Sequence, residues 1–389
     1  MSGVDLTTRA VVVAARRTPI ATVGRGLSGV TVDQLAAPVL RAIVGDVRAL
    51  GIGGDVDDVV LGNCMGPGGN IARVTALAAG LGESVPGVTI DRQCGSGLAA
   101  IVQAGQAVRS GDAGLVLAGG VESASTAPLR AHRVGTGKTR PYARAPFTPP
   151  EFGDPDMGVA ADALAAAGNV SRERQDAYAA ASHAKALDAR AAGRFDAELV
   201  PVGDMTHDDR ARPIAESTLA RLPAAFVPGG SVTAGNSCPN SDGAGVVAVV
   251  AEQFRAGAPG LRLVAGAVVA CDPRLPGWGP VPAVERVLEL SGVGLADVAA
   301  VEIVEAFAGQ VLAVTDALGL DSLGRDAARV CADGGALALG HPWGATGAVV
   351  VVRLFSRLVR AGAPAGTLGL ATAAVGGGMG VATLFEVVR

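Results

Sequence analysis

The sequence predicts an α/β protein made of two similar halves with an insertion between them. Short apolar runs typical of β-strands alternate with alanine-rich helical stretches near the start of the chain, and the alternation returns in the second half. A middle segment differs, being rich in arginine and proline. This rhythm is typical of a sheet covered by helices, and 389 residues with 49% hydrophobic side chains suffice for a large buried core.

The elements of each half follow from these runs. The first half predicts strands at residues 10–15, 56–61, 88–90 and 114–118, with helices at residues 32–44 and 98–109. The second half predicts strands at residues 263–269, 298–304 and 368–373, with helices at residues 281–290, 308–318 and 347–360.

Each half has a helix that begins beside a potentially reactive side chain. Cys94-Gly-Ser-Gly opens a helix that leads to a strand, and His341-Pro-Trp-Gly-Ala-Thr-Gly opens the matching helix of the second half. A pseudo-dyad between the halves would bring the two helix starts together. We therefore predict that Cys94 and His341 lie within about 6 Å of each other, the range of a direct or one-water contact.

Between the halves, roughly residues 121–244 are predicted to form an insertion on top of the core. A proline-rich stretch covers residues 145–155, and a charged helical segment, residues 171–192, has Ser171 as its N-cap. A basic cluster precedes them and suits the phosphates of a ligand, with a solvated charged loop as the alternative. Its members are Arg130, His132, Arg133, Lys138, Arg140 and Arg144.

The composition argues against several classes of protein. A formal net charge of −4 gives no support to nucleic-acid binding, and the apolar runs are too short to span a bilayer. The five cysteines form no CxxC pair and the four histidines are scattered, so we expect reduced thiols and no metal site. With no recognisable targeting segment, we expect a cytoplasmic protein.

Cys94 is the candidate nucleophile. It lies where a strand ends, a glycine-rich turn follows and a helix begins. Unpaired backbone N–H groups at a helix start are expected to lower the pKa of a thiol there and to favour the thiolate. An inert core cysteine is the alternative on composition alone.

His341 is the candidate partner, and a glycine-rich turn near the C-terminus is the third signal. His341 lies in a glycine-rich loop before a helix, where it is suited to deprotonate a thiol or to bind an oxyanion, with a structural histidine as the alternative. Thr372-Ala-Ala-Val-Gly-Gly-Gly-Met-Gly predicts a strand and a turn whose N–H groups can meet negative charge. A plain tight turn between strands is the alternative.

Together these segments closely resemble the thiolases, and the resemblance covers nearly the whole chain. The matching segments stand in the order that the family has. They are Arg17-Thr-Pro-Ile, Asp91-Arg-Gln-Cys-Gly-Ser-Gly, Gly119-Gly-Val-Glu-Ser, Met157-Gly, Thr233-Ala-Gly-Asn, Gly279-Pro-Val-Pro-Ala, Glu305-Ala-Phe-Ala, Gly334-Gly-Ala-Leu-Ala-Leu-Gly-His-Pro and the final Gly-Gly-Gly-Met-Gly.

The resemblance implies a thiolase fold of two pseudo-symmetric βαβαβαββ halves, residues 1–262 and 263–389, in αβαβα layers with an inserted loop domain. It implies a coenzyme A thioester as substrate, no further cofactor, and a homodimer or homotetramer. Cys94 would be the nucleophile, His341 its base and Gly376 an oxyanion donor. The residues expected to contact the coenzyme A arm are Met157, Ala234, Cys238, Ala306 and Phe307.

Two departures from the family pattern fall on the same half of its chemistry. Val304 stands where thiolases usually have an asparagine that holds a water for the enolate oxygen. Ala374 stands where they usually carry a second cysteine that moves the proton on the α-carbon. Neither replacement can do this, whereas the residues for acyl transfer are present.

Four other differences predict changes in substrate or in acid–base chemistry. Pro276 stands where a methionine often lines the acyl pocket, and Asp156 replaces a common histidine. Cys238 replaces a serine of the pantetheine-contacting loop, and Cys331 replaces an asparagine. Either thiol is a candidate replacement base, with a small buried thiol as the alternative.

The sequence thus predicts an acyltransferase with a covalent acyl-Cys94 intermediate. The donor is an acyl-CoA or acyl-carrier-protein thioester, and the acceptor is an oxygen, nitrogen or already activated carbon nucleophile. The alternatives are a working β-ketoacyl-CoA thiolase with a relocated acid/base, a non-catalytic acyl-CoA-binding subunit, and a thioester hydrolase.

Overall fold

The chain forms β-strands and α-helices that match every element predicted for the two halves, with ends shifted by a few residues. This computed structural model describes residues 9–389. The strands are β1 (Ala10–Arg17), β2 (Ala21–Thr22), β3 (Asp58–Gly62), β4 (Val88–Ile90), β5 (Leu115–Ser123), β6 (Arg130–Gly135), β7 (Lys138–Tyr142), β8 (Ser241–Ala251), β9 (Gly260–Ala270), β10 (Val298–Ile303), β11 (Leu368–Val375) and β12 (Met379–Val388). The helices are α1 (Val32–Ala49), α2 (Ile71–Ala78), α3 (Ser96–Ser110), α4 (Met157–Ala167), α5 (Arg172–Ala191), α6 (Glu216–Leu219), α7 (Pro280–Ser291), α8 (Ala308–Ala317), α9 (Ala336–Leu339) and α10 (Trp343–Phe355).

Ten strands form one mixed sheet whose order repeats about its centre. From the centre, the order is β1-β8-β5-β3 in one direction and β9-β12-β11-β10 in the other, with β4 at the first edge. In each half the outer pair, β3 with β5 or β10 with β11, is parallel, and the inner pairs are antiparallel. The halves meet where β1 pairs with β9. This order confirms the two similar halves.

The helices form three layers around the two halves of the sheet. The helices α3 and α10 lie in the middle and pack against strands of both halves. On the outer faces, α1 and α2 cover the first half, and α7 and α8 cover the second. The layers therefore run α-β-α-β-α, as the resemblance implied.

Glycines let α3 and α10 pack backbone against backbone. A Cβ atom on Gly97 would lie 2.7 Å from the backbone nitrogen of Ala348, and one on Gly347 would lie 2.5 Å from that of Leu98. Any larger side chain would separate the helices, since Cβ contacts shorter than 3.0 Å essentially never occur. This contact brings the starts of the two helices together.

The insertion lies between β5 and β8 and comprises residues 124–240. It contains the β6–β7 hairpin, which stands outside the main sheet, and the helices α4 to α6. It is shorter than the 121–244 expected, because both flanking strands extend into that range. The sequence did not predict β8, because a strand buried on both faces shows no alternation. Ser171 caps α5 as predicted and accepts a hydrogen bond from the backbone N–H of Arg174 at 3.3 Å.

A buried ion-pair network joins the insertion to both halves. Glu198 of the insertion pairs with Arg17 of β1 at 2.7 Å and with Arg353 of α10. Arg17 also pairs with Asp208 at 2.7 Å, and the Phe195 ring lies under both guanidinium groups. Burial opposes ionisation of Glu198, but the two arginines outweigh it and hold its pKa below the ordinary value.

We predict that Glu198→Gln lowers the free energy of unfolding by about 3–5 kcal/mol, because it removes the carboxylate that Arg17 and Arg353 share and leaves each buried guanidinium with one carboxylate, Asp208 or Asp333. Urea unfolding at neutral pH measures this loss. Asp316→Asn is the control, since it breaks an exposed pair with Arg174 that is worth at most about 1 kcal/mol. Equal losses in the two variants would contradict the prediction.

Candidate active site

Cys94 lies in a short strained turn between β4 and α3. Residues Gln93–Gly95 form a single 3-10 turn, and Gln93 has a φ of 43°, the left-handed region that few residues other than glycine adopt. The Asp91 carboxylate accepts hydrogen bonds from the Gln93 backbone N–H at 2.8 Å and from its side-chain amide at 3.0 Å. These bonds hold the turn in the conformation that presents the Cys94 thiol.

The histidine ring faces this thiol with a defined tautomer. His341 Nε2 lies 3.3 Å from Cys94 Sγ, which confirms that the two predicted residues come together. His341 Nδ1 lies 2.7 Å from the Thr346 hydroxyl, which donates its own proton to the carbonyl oxygen of Pro342 at 3.0 Å. The Thr346 oxygen therefore accepts a hydrogen bond from Nδ1–H, which leaves the Nε2 lone pair facing the thiol.

Burial keeps both reactive groups neutral in the empty site. Burial, helped by the carboxylates of Glu122 and Asp91, raises the pKa of Cys94 to about 12, and the nearby backbone N–H groups of Cys94 and Gly376 oppose this rise only in part. Burial also lowers the pKa of His341 to about 4. The expected lowering of the Cys94 pKa is therefore wrong, because desolvation exceeds the effect of the helix start.

Glu122 ties the start of α10 and the loop after β3 to β5, and sequence reasoning missed this role. Its fully buried carboxylate accepts hydrogen bonds from the backbone N–H groups of Cys64, Met65 and Gly344, each at 3.0 Å. A fourth bond comes from the Asn63 amide, also at 3.0 Å. The Gly-Gly-Val-Glu-Ser motif contained this residue, but its partners come from two distant segments, residues 63–65 and Gly344.

A cavity of about 360 Å³ opens above the thiol. Its lining includes both reactive residues, Gly376, and four of the five residues expected to contact the coenzyme A arm: Met157, Cys238, Ala306 and Phe307. The fifth, Ala234, is exposed and does not line the cavity. The apolar lining suits an acyl chain and a pantetheine arm, and Pro276 and Asp156 also face this space.

Ala374 and Val304, the two positions that depart from the thiolase pattern, lie in different surroundings. Ala374 lines the cavity close to Gly376, so it leaves open space where a thiol would stand. Val304 is 1% exposed and packs in the core between α3, α10 and the sheet, while its backbone N–H donates to the carbonyl oxygen of Thr372 at 3.0 Å. Both side chains are apolar, and of the two only Ala374 faces the cavity.

The two candidate replacement bases also differ. Cys331 is fully buried away from the cavity, and its thiol donates to the carbonyl oxygen of Ile303 at 3.4 Å. Cys238 lines the cavity, with its backbone N–H held by the carbonyl oxygen of Ala306 at 3.0 Å. Burial raises the pKa of Cys238 to about 12. Of the two thiols, only Cys238 is placed to meet a substrate.

The sequence and the fold were compared with known protein families, sequences and structures, and all three comparisons find thiolases or acetyl-CoA acetyltransferases. Residues 10–253 match the family described as Thiolase, N-terminal domain, and residues 258–387 match Thiolase, C-terminal domain. The chain is 39% identical to a putative acetyl-CoA C-acetyltransferase, YhfS, of Bacillus subtilis, over 97% of this chain and 99% of the relative. It is 38% identical to a beta-ketoadipyl-CoA thiolase of Escherichia coli, over 95% and 97%. The crystal structure of the Bacillus anthracis acetyl-CoA acetyltransferase superposes with a TM-score of 0.89 at 38% identity, over 98% and 99% of the chains.

We predict that Thr346→Val slows acylation of Cys94 about ten- to a hundredfold, as losing a group that orients a functional histidine commonly does. Valine keeps the shape but cannot accept a hydrogen bond from Nδ1–H, so the tautomer with its proton on Nε2 becomes accessible. The reaction is stopped at a series of times, and intact-protein mass gives the acylated fraction of the enzyme, from which the rate of acylation follows. Thr346→Ser is the matched control and should keep most of the activity; equal rates for the two variants would refute the role of the hydroxyl.

We also predict the pH dependence of the empty site. Alkylation of Cys94 by iodoacetamide should rise steadily with pH, because the pKa of its thiol is about 12. Enzymatic acylation should decline only as the pH falls through about 4, where His341 becomes charged and loses its lone pair. The Cys94→Ser variant is the control, because its alkylation measures the reaction of the other thiols alone. An alkylation rate that reaches a plateau near neutral pH would contradict the prediction and would indicate a thiolate–imidazolium pair.

Proposed function

We propose that this chain, which belongs to the thiolase family, carries acyl groups on Cys94 from a coenzyme A thioester to an acceptor that is already nucleophilic. It is an acyltransferase by family, and the 3.3 Å contact between Cys94 Sγ and His341 Nε2 is the observation that carries the covalent mechanism. The names of the relatives describe transfer to and from acetyl-CoA and the thiolysis of β-ketoadipyl-CoA. What distinguishes this chain is the acceptor.

In the first step His341 Nε2 takes the thiol proton while the sulfur of Cys94 attacks the thioester carbonyl. The oxyanion then forms beside the sulfur, where the backbone N–H groups of Cys94 and Gly376 are available to it. The coenzyme A thiolate leaves and takes the proton from the imidazolium. This step needs no proton carrier at the α-carbon.

The second step depends on the acceptor. An oxygen, nitrogen or activated carbon nucleophile attacks the acyl-Cys94 thioester, and His341 takes and returns one proton. Carbon–carbon bond formation from an unactivated thioester needs an α-carbon base and an enolate donor as well. These contribute about 10²–10⁴ and 10²–10³ in rate, and the apolar Ala374 and Val304 supply neither.

We expect rapid acyl-enzyme formation but weak thiolysis of acetoacetyl-CoA. Acetyl-CoA should add one acetyl group to the wild type and none to Cys94→Ala, as seen by intact-protein mass. Ala374→Cys should raise thiolysis about a hundredfold or more and leave acylation little changed. Ala374→Ser is the control, since a hydroxyl is too weak an acid and base at this position.

An acyl adduct that persists in Cys94→Ala would refute the nucleophile. A wild-type thiolysis turnover in the ordinary enzyme range, about 1–10³ per second, would refute the choice of acceptor. Hydrolysis is the same mechanism with water as acceptor, and an acyl-enzyme that decays within seconds in buffer alone would favour it. A purely binding role needs neither Cys94 nor its contact with His341.

The position of Cys238 favours one second candidate, a working β-ketoacyl-CoA thiolase with this thiol as relocated acid/base. The Arg210 guanidinium donates to the carbonyl oxygens of Ser237 at 3.1 Å and Leu337 at 2.8 Å. Its charge lowers the pKa of Cys238, against the larger rise that burial causes. A thiol in the cavity beside a cation is a plausible proton carrier.

Exchange of the acetyl hydrogens of acetyl-CoA in deuterated water tests this candidate. If Cys238 carries protons, the wild type should exchange them and Cys238→Ala should not, while both variants still acylate Cys94. The absence of exchange in the wild type would eliminate the candidate and leave the primary proposal standing.

A further inference from the structure

Asp156 places a carboxylate at the solvent-facing end of the active-site cavity, and the acyl transfer described above does not use it. Its side chain is 80% exposed although it belongs to the cavity lining. His341, which lines the same cavity beside Cys94, is only 3% exposed. The cavity therefore extends from an exposed carboxylate to the buried reactive pair, and a molecule that fills it meets both ends.

The carboxylate of Asp156 has few partners in the protein. Asp156 is the N-cap of α4, where an aspartate commonly accepts a hydrogen bond from a backbone N–H of the first turn. Within the described chain its side chain makes no such capping bond. Arg144 Nε lies 3.7 Å from its Oδ1, which is an ion-pair distance but too long for a hydrogen bond. The carboxylate oxygens are therefore available to a ligand.

Arg144 does not cancel this charge, because a second carboxylate holds it. Its guanidinium donates to the Asp154 carboxylate at 2.9 Å and to the Asp154 carbonyl oxygen at 3.1 Å. This hydrogen bond holds the pKa of Asp154 below its ordinary value. One guanidinium thus faces the carboxylates of Asp154 and Asp156, and the group keeps a net negative charge that favours a cation.

Between the two ends, most of the side chains that line the cavity are apolar, among them Met157, Phe226 and Phe307. Such a lining suits an aliphatic chain. At the inner end, burial lowers the pKa of His341 to about 4, because desolvation disfavours the charged form of a basic nitrogen. Burial would equally favour the neutral form of an amine at that depth, and the neutral form is the one that attacks an acyl carbonyl.

From this arrangement we infer that the acyl acceptor is an aliphatic diamine, whose outer ammonium group binds Asp156 while its inner amine attacks the acyl group on Cys94. The inference rests on the proposed function and selects nitrogen among its acceptors. Solvent and the carboxylate keep the outer nitrogen charged, whereas burial keeps the inner nitrogen neutral. Asp156 is then a residue that determines specificity for the acceptor.

The transfer balances with the residues present. The neutral inner amine forms a carbon–nitrogen bond with the acyl carbonyl carbon and gives one proton to His341 Nε2. The bond between that carbon and the Cys94 sulfur breaks, and the sulfur takes the proton from the imidazolium. The products are a mono-N-acylated diamine and the free thiol of Cys94, and no oxidation state changes.

The test compares matched acceptors on the isolated acyl-enzyme. The enzyme is acylated with acetyl-CoA, coenzyme A is removed, and 1,6-diaminohexane, 1-aminohexane or 1-hexanol is added. The three share one aliphatic chain, and only the diamine offers an outer cation beyond the reacting group. Enzyme mass reports the loss of acetyl, product mass reports the amide or ester, and a denatured acyl-enzyme gives the uncatalysed rate with each acceptor.

We expect kcat/KM for the diamine to exceed that for the monoamine about three- to fivefold, after allowance for its two amines, since an ion pair at an exposed carboxylate has about this effect. Asp156→Asn should remove this ratio, and Asp156→Glu, which keeps the charge, should retain most of it. Asp188→Asn is the matched control, because this exposed carboxylate of α5 lies outside the cavity lining, and its ratio should equal that of the wild type. A ratio is compared because it is insensitive to changes in acylation or stability.

The outcomes separate the inference from the function on which it rests. If acetyl-CoA adds no group to Cys94, the proposed function fails before any acceptor is added. If the acyl-enzyme forms but both amines react no faster than with the denatured acyl-enzyme, the diamine inference alone fails. It also fails if the wild type treats diamine and monoamine alike, or if Asp156→Asn keeps the ratio of the wild type.

Discussion

The close packing of α3 on α10 is the constraint on which the active site depends. The two helices touch through glycines, and the end of β5 meets the start of α10 in the same way, since a Cβ atom on Gly120 would lie 1.9 Å from the carbonyl oxygen of Gly344. Glu122 fixes this junction through the backbone N–H of Gly344. The distance between Cys94 and His341 is therefore set by backbone contacts, which are stiffer than contacts between long side chains.

Burial at this junction decides how the reactive pair behaves. Desolvation favours the neutral thiol of Cys94 and the neutral ring of His341. The hydrogen bond to Thr346 leaves the acceptor nitrogen of the ring facing the thiol. A neutral thiol reacts slowly with adventitious electrophiles. The backbone N–H groups become most valuable when the substrate oxyanion forms, because fixed donors act strongly in a site without water.

The same geometry separates the two halves of the family's chemistry. Cys94, His341 and Gly376, the residues suited to acyl transfer, line one cavity, whereas Ala374 contributes only a methyl group to it. Val304 fills core space with an apolar side chain. Transfer of an acyl group from a thioester to Cys94 uses the intact half alone.

The sequence by itself determined the two halves, the family, and the candidates Cys94, His341 and Gly376, because helix starts, glycine turns and strand runs are local signals. Only the tertiary structure decided what depends on contacts between distant segments. It reversed the expected pKa of Cys94, since burial cannot be read from a motif. It also supplied the role of Glu122, whose partners lie in the loop after β3 and at the start of α10. It also separated the two spare thiols by placing Cys238 in the cavity and Cys331 in the core, because the direction of a side chain is set by packing and not by its neighbours in sequence.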